Sequence, residues 1–356
     1  LRDRKWTQLP SQHAKYFQRY IHLLPNQLAV HDSIRLTIAF FALSGLDVLN
    51  TLDVLSEQKR AEAIEWIYRL QVKAAGPRSG FQGSTSLSAE ASSYQSGHLA
   101  MTYLGLATLL TLGDDLSGVD KKSIIEGVRA CQNKDGSFTA TLTGSESDMR
   151  FIYCACCISA ILDDWSGVDK LRAIHYITES ISYDGGIGQG PGLESHGGST
   201  FCAVASLFLM GELNNVLSQK QLQRLRYWCL MRQVGGFHGR PNKPEDTCYS
   251  FWVGATLQIL GVRHLTDATE NRAYVLTTQD AVLGGLSKFD TSAPDPLHTY
   301  LGLCGLSLLG EPGLKAVNAA LNISQSAFAH LEEIHKTWHI KSANLLYFGT
   351  KDRLTT

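Results

Sequence analysis

The sequence lacks an excess of charge of either sign, any long hydrophobic run, and cysteines spaced for a disulfide framework. Its 32 lysines and arginines meet 33 aspartates and glutamates over 356 residues, so no overall field draws it to nucleic acid or to an anionic membrane surface. Any anion it binds must meet a local cluster of cations. Apolar stretches such as Phe201 to Met210 are far too short to span a bilayer, and the opening residues Leu1 to Trp6 lead into no apolar segment. A soluble, cytoplasmic chain that is not itself a membrane protein is expected. Seven of the eight cysteines, Cys131, Cys154, Cys156, Cys157, Cys202, Cys229 and Cys304, fall in apolar, helix-like stretches and read as reduced core residues. Cys248 differs, because it follows the polar segment Pro244-Glu245-Asp246-Thr247.

What is present is a repeat. A Gly-rich turn ending in an apolar residue recurs as Ser79-Gly80-Phe81, Gly136-Ser137-Phe138, Gly185-Gly186-Ile187, Gly235-Gly236-Phe237 and Gly284-Gly285-Leu286, with spacings of 57, 49, 50 and 49 residues between the apolar positions. A helix-like segment precedes each turn, as in 61–72, 122–132, 220–233 and 271–279. A strongly apolar helix follows, at 98–112, 149–162, 199–213, 248–260 and 299–309. Helices apolar on every side need partners all round. The fold expected is therefore all-α, an α/α barrel or toroid of about five to six helix-pair repeats, spanning 1–356 as one domain with 339–356 as a tail that fits no repeat. The corner Asp114-Asp115-Leu116-Ser117-Gly118-Val119-Asp120-Lys121 returns 49 residues later as Asp163-Asp164-Trp165-Ser166-Gly167-Val168-Asp169-Lys170. Its aspartates do not space as DDxxD, and an N-cap role for the next helix is expected.

Repeat register places the polar residues. His196 and Asp246 each lie nine residues after their turn residue, Cys248 eleven and His298 twelve, so all four fall where a loop meets an inner helix, at one end of the barrel. Asp246, Cys248 and His298 offer a carboxylate, a thiolate and an imidazole, a three-ligand set that leaves a fourth zinc position for substrate. Taken singly, Cys248 reads more readily as a core thiol and His298 as a loop histidine that caps a helix; shared register favours the metal. His238, Arg240 and Lys243 stand between turn and metal set, with His196 one repeat back and Tyr249 just beyond. Such a group beside helix N-termini suits a diphosphate, although Arg240 and Lys243 alone read as a solvated loop.

Three stretches, Leu193 to Cys202, Phe237 to Trp252 and Pro294 to Tyr300, together with the repeat, resemble the β subunits of protein prenyltransferases from about Arg4 to Trp338. Within that family the likeness is greatest to the type I geranylgeranyl class. The resemblance implies a zinc-dependent transferase, acting as a heterodimer with a prenyltransferase α subunit. It would move geranylgeranyl from geranylgeranyl diphosphate to the cysteine of C-terminal C-a-a-X proteins such as small GTPases, X mostly leucine.

By the same resemblance Asp246, Cys248 and His298 hold zinc, while His196, Arg240, Lys243, Tyr249 and Lys288 meet the diphosphate. Lys288 stands where farnesyl enzymes carry a Mg²⁺-recruiting carboxylate, which implies turnover without Mg²⁺. Thr37 stands where they carry a tryptophan, leaving room for one more isoprene unit. Thr37, Phe41 and Leu297 would meet the penultimate peptide side chain, and His98, Ala100, Met101, Arg150 and Phe151 the C-terminal one. Tyr103, Phe201 and Trp252 would line the lipid tunnel. The alternatives are a Rab-type or farnesyl β subunit and, from another class, a non-catalytic helical-repeat scaffold. A terpene cyclase is disfavoured, since no DxDD motif is found.

Overall fold

The structure is a computed structural model that describes residues 9–22, 24, 26–73, 76–87 and 95–351. Residues 1–8, part of the loop 76–96, and 352–356 lie outside the described residues. The helices are α1 (Leu9–His22), α2 (Arg35–Val48), α3 (Glu57–Arg69), α4 (Leu99–Thr111), α5 (Lys121–Ala130), α6 (Met149–Leu162), α7 (Lys170–Glu179), α8 (Gly197–Leu209), the single turn α9 (Leu213–Val216), α10 (Gln219–Leu230), α11 (Tyr249–Ile259), α12 (Ala268–Thr277), α13 (Pro296–Leu308) and α14 (Gln325–Lys351). Two short hairpins accompany them, β1 (Gln71–Val72) with β2 (Gly80–Phe81) and β3 (Val317–Asn318) with β4 (Ile323–Ser324).

Helices α2, α4, α6, α8, α11 and α13 each pack on the next, and α13 packs back on α2. This closed ring is what the all-apolar composition requires: α4, for example, buries every residue except Ala100. The more polar helices α1, α3, α5, α7, α10 and α12 alternate with them along the chain, giving six pairs among the described residues. Five pairs contain the Gly-rich turns. The sixth, α1 with α2, has none and is not visible in the repeat. Positive φ explains some of the turn glycines, with 94° at Gly136 and 95° at Gly185, while Gly236 is required because a Cβ there would run into the Tyr274 ring.

Two sets of bonds hold the register. At one end, a backbone N–H at the start of an inner helix donates to a carbonyl two residues beyond the next repeat's turn residue: Leu36 to Gly83 (3.0 Å), Leu99 to Ala140 (2.8 Å), Met149 to Gln189 (3.0 Å), Gly197 to Gly239 (2.8 Å) and, from just before the N-cap of α11, Thr247 to Lys288 (3.2 Å). In the outer layer a glutamine after each of three outer helices accepts from the backbone of the next helix's capping aspartate: Gln71 from Asp120, Gln132 from Asp169 and Gln233 from Asp267, at 2.8–3.0 Å. Thus the last aspartate of each repeated corner caps the next helix, while the first pair, Asp114-Asp115 and Asp163-Asp164, shapes the corner itself; Asp114, Asp115 and Asp164 accept backbone N–H groups two residues ahead.

The opposite end is closed. Hydroxyls of Tyr103, Tyr153 and Tyr300 donate to the carbonyls of Leu321, Ala320 and Asn322 in the β3–β4 turn, at 2.7–2.9 Å. Helix α14 then passes beneath, with His330 and His335 donating to the carbonyls of Asp114 and Ile161 near the ends of α4 and α6. Residues 339–351, expected to be a tail without a place, continue this helix, and His339 meets Asp163 at 2.6 Å. All eight cysteines are free and buried. Among the described residues, no helix is long and apolar enough to cross a membrane.

Candidate metal and anion site

The open end is built from the N-termini of the inner helices. His98, Asp148, His196 and Asp295 are the N-caps of α4, α6, α8 and α13, and Cys248 holds the same position on α11. Each helix turns its positive dipole end to this rim, a setting suited to anions, while the caps and the inter-repeat bonds already pair most of its first N–H groups.

Asp246, Cys248 and His298 come together as register implies: one ligand atom from each lies within 4.8 Å of the others. His298 Nε2 is 3.3 Å from Asp246 Oδ1, while its Nδ1 donates to Asp295 Oδ2 at 2.6 Å. Asp295 Oδ1 also accepts the His298 backbone N–H at 2.9 Å, so one residue caps the helix and aims the ring. Burial opposes ionisation of Asp246, but hydrogen bonds from His298 and from Cys248 outweigh it and hold the carboxylate below its usual range. Burial, then the charge of Asp246, pushes the Cys248 thiol well up. Burial would lower His298; its bonds to Asp246 and Asp295 prevail and raise it to about 9. Oxygen, sulfur and nitrogen donors crowded into a buried corner, with two negative partners for one imidazole, are a donor set that a divalent cation satisfies.

Lys288 stands beside this cluster, Nζ 3.7 Å from Asp246 Oδ2 and half exposed. Arg240 is held by Glu194 at 2.9 Å, so an anion bound there shares the guanidinium with that carboxylate. Lys243 is exposed, in the turn closed by its own N–H and the Arg240 carbonyl at 3.3 Å. His238 lies elsewhere than the sequence suggested: it is buried, its Nδ1 against the Arg240 carbonyl, and it supports the loop instead of facing the rim.

His196 also differs in character. Burial, then the charge of Arg240, lowers its basicity. Its Nδ1 accepts the N–H groups of Gly198 and Ser199, at 3.1 and 3.4 Å, which assigns the proton to Nε2. Nε2 is 2.8 Å from the Tyr249 hydroxyl, so the imidazole is a neutral donor to Tyr249 and not a cation.

Around the ring from this corner lie the peptide-pocket candidates. Thr37 Oγ1 donates to Met101 Sδ at 3.5 Å. His98 meets the Phe151 ring edge-on at 6.0 Å, and Arg150 covers the same ring at 5.3 Å. Ala100 is half-buried and Leu297 36% exposed. Arg150 is half exposed but bound through Nε and Nη2 to the buried Asp148, at 3.0 and 2.7 Å. Gln189 donates to that same carboxylate at 2.6 Å.

Deeper in, aromatic rings form a belt: Phe40–Tyr103 at 6.2 Å, Tyr103–Tyr153 at 5.6 Å, Tyr153–Phe201 at 5.2 Å, Phe201–Trp252 at 5.0 Å, and Tyr300–Phe40 at 5.3 Å. Phe41 joins it against Tyr300 at 5.9 Å. Phe201 has no exposed surface and is enclosed by its neighbours, whereas Trp252 is half-buried.

Sequence reasoning missed Asp295, Glu194 and Thr247. Asp295 had a signal, since Asp-Pro at the start of a helix marks an N-cap followed by N1; the other two act through residues about forty or more positions away. A groove of about 650 Å³ along α12 is lined by Glu245, Arg272 and Tyr274 on the outer layer and does not contain the metal cluster.

A closed double ring of helices with an Asp–Cys–His corner among the N-termini of its inner helices defines the class. The chain belongs to the prenyltransferase α–α toroid family, whose domain profile matches residues 9–323. It is 37% identical over 335 residues to the geranylgeranyl transferase type-1 subunit beta of Dictyostelium discoideum, covering 88% of this chain and 94% of that one. To the Arabidopsis thaliana protein of the same name it is 40% identical over 332 residues, 87% and 88% of the two chains. Among solved structures, Candida albicans protein geranylgeranyltransferase-I complexed with GGPP superimposes with a TM-score of 0.85 at 27% identity, over 92% of this chain and 98% of that one.

Proposed function

We propose that this chain is the catalytic β subunit of a cytoplasmic protein geranylgeranyltransferase of type I. It would work with an α subunit to transfer geranylgeranyl from its diphosphate to the cysteine of C-a-a-X proteins, X mostly leucine. The observation that carries the reading is the convergence of Asp246, Cys248 and His298 beside Lys288 and Tyr249 at the open end of the barrel.

The three side chains would hold zinc, and zinc bound there supplies the positive charge that makes a substrate thiol a thiolate at neutral pH. The protein's part is the leaving group. As the thiolate attacks C1 of the allylic diphosphate and the C–O bond breaks, charge grows on the departing oxygen. His196 spends its Nε2 proton on Tyr249, which leaves the tyrosine's own proton for that oxygen. Lys288 and Arg240 supply fixed charge, with Lys243 at the solvent side. Such donors do not reorganise as the charge develops, which is why they lower the barrier. Lys288 carries its charge on the chain, so Mg²⁺ is not required. Trp252 and its neighbours in the aromatic belt would make the apolar wall for the lipid, with the enclosed Phe201 packing behind them. Thr37, opposite Met101, leaves volume that a large side chain would fill.

The test is transfer by the purified heterodimer to a C-a-a-Leu peptide, with geranylgeranyl or farnesyl diphosphate and with or without Mg²⁺. Geranylgeranyl is expected to be preferred and Mg²⁺ to be without effect, and Thr37→Trp to move the preference toward farnesyl. A farnesyl preference in the wild type would contradict the assignment of type.

A further inference from the structure

Thr247 stands between two of the metal-site residues, Asp246 and Cys248, and is completely buried. A hydroxyl there needs a partner. It donates to the Ser287 carbonyl at 2.7 Å, with the Thr278 hydroxyl 3.0 Å away on its other side. Its backbone N–H donates to the Lys288 carbonyl at 3.2 Å. That last bond is one copy of the inter-repeat bond that recurs around the open rim. The other donors are Leu36, Leu99, Met149 and Gly197, none of which has a side-chain proton to give. Thr247 therefore adds a second tie at the repeat that carries the metal residues.

Its methyl group is fixed as well. A Cβ placed on Gly302 would come within 2.7 Å of Thr247 Cγ2, so the methyl sits against a helix position where only glycine fits. Gly302 is one turn beyond His298 on α13. One side chain thus touches the helix of the third metal-site residue and the backbone that bears Lys288.

The geometry points to Thr247 as the positioning residue for Lys288: its hydroxyl holds the 287–288 backbone so that the ammonium stands beside Asp246, at the edge of the metal cluster. Gln189 occupies the equivalent place two repeats back, where Met149 stands at the position of Thr247 and the reach to Asp148 has no such hydroxyl behind it. The inference rests on the prenyl-transfer reading and goes beyond it by assigning a role to a residue that touches neither substrate nor metal.

The test compares heterodimers carrying Thr247→Val, Thr247→Ser, Lys288→Ala and the Thr247→Val/Lys288→Ala pair. Valine keeps the methyl against Gly302 and removes the hydroxyl. It is expected to lower kcat/KM for transfer by about 3- to 10-fold, the span of one lost neutral hydrogen bond, while zinc content and a cooperative melt stay as in the wild type. Serine should restore the rate. In the Lys288→Ala background the valine should change the rate by about 2-fold or less, because the residue it acts through is gone. Thr247→Ala gives the same comparison if the valine protein does not fold. An equal loss with and without Lys288, a wild-type rate in Thr247→Val, or loss of zinc in that variant would each overturn the assignment. A wild-type heterodimer that transfers no prenyl group refutes the functional reading instead, and is seen before any variant is made.

Discussion

Where the proton sits on His196 decides how Tyr249 can act. Because Nδ1 accepts two backbone N–H groups at the start of α8, Nε2 must donate, and the tyrosine hydroxyl receives that proton and offers its own. The pair is therefore one relay, with the oxygen of Tyr249 at its working end. Tyr249→Phe should cut single-turnover transfer by on the order of 10²-fold, the usual cost of losing one leaving-group donor, while equilibrium binding of the prenyl diphosphate changes much less. If rapid-quench kinetics show chemistry unchanged in that variant, the relay is not used. Sequence placed both residues at the rim, but it could not show the tautomer, which depends on the backbone of Gly198 and Ser199.

At the scale of an element, the start of α13 shows how a helix end becomes a ligand support. Asp295 caps the helix through Oδ1 and fixes the His298 ring through Oδ2. Asp295→Ala should cost about 1 kcal/mol of stability as a lost N-cap and weaken zinc binding by about 10- to 100-fold as a lost support for a ligand. Asp295→Asn keeps one acceptor oxygen for the cap but turns an NH2 group toward the His298 Nδ1–H, so it should keep most of the stability and still lose zinc affinity. Equal zinc affinity in all three proteins, measured by chelator competition, would reduce Asp295 to a cap. The helix pairs themselves were legible, because a turn that needs positive φ or a close approach at a fixed spacing leaves glycines in the sequence. The pair α1 with α2 was not, since its connection contains no such turn. Nor were the β3–β4 hairpin, held by Tyr103, Tyr153 and Tyr300, and the place of α14, whose His330 and His335 meet carbonyls far away along the chain.

Across the whole molecule, the register that builds the ring must also close it. Gln279 occupies the position of the clamping glutamines, but the repeat it would clamp is the first one. There His13 of α1 takes the place of the backbone, 3.2 Å from Gln279 Oε1, and accepts the Gly285 N–H on Nδ1 at 2.8 Å. That acceptor role requires a neutral ring, and burial lowers the pKa of His13 from 6.5 to about 4. The unfolded chain therefore binds a proton below about pH 6.5 that the folded one takes only near 4, and stability falls as pH drops through that window. The shift corresponds to about 3 kcal/mol for this one group. Urea unfolding at pH 7.5 and pH 5 should show the loss, and His13→Gln should be less stable at pH 7.5 yet less sensitive to pH. An unaltered pH slope in the variant would place the sensitivity elsewhere.

The central claim is that three residues from adjacent repeats hold a zinc ion on which prenyl transfer depends. It is tested most directly by measuring metal content and transfer on the same heterodimer preparation, wild type beside Cys248→Ala. The account predicts about one zinc per wild-type β subunit, and loss of both zinc and transfer in the variant while prenyl diphosphate still binds. Transfer at the wild-type rate by a protein without zinc, or by Cys248→Ala, would contradict it.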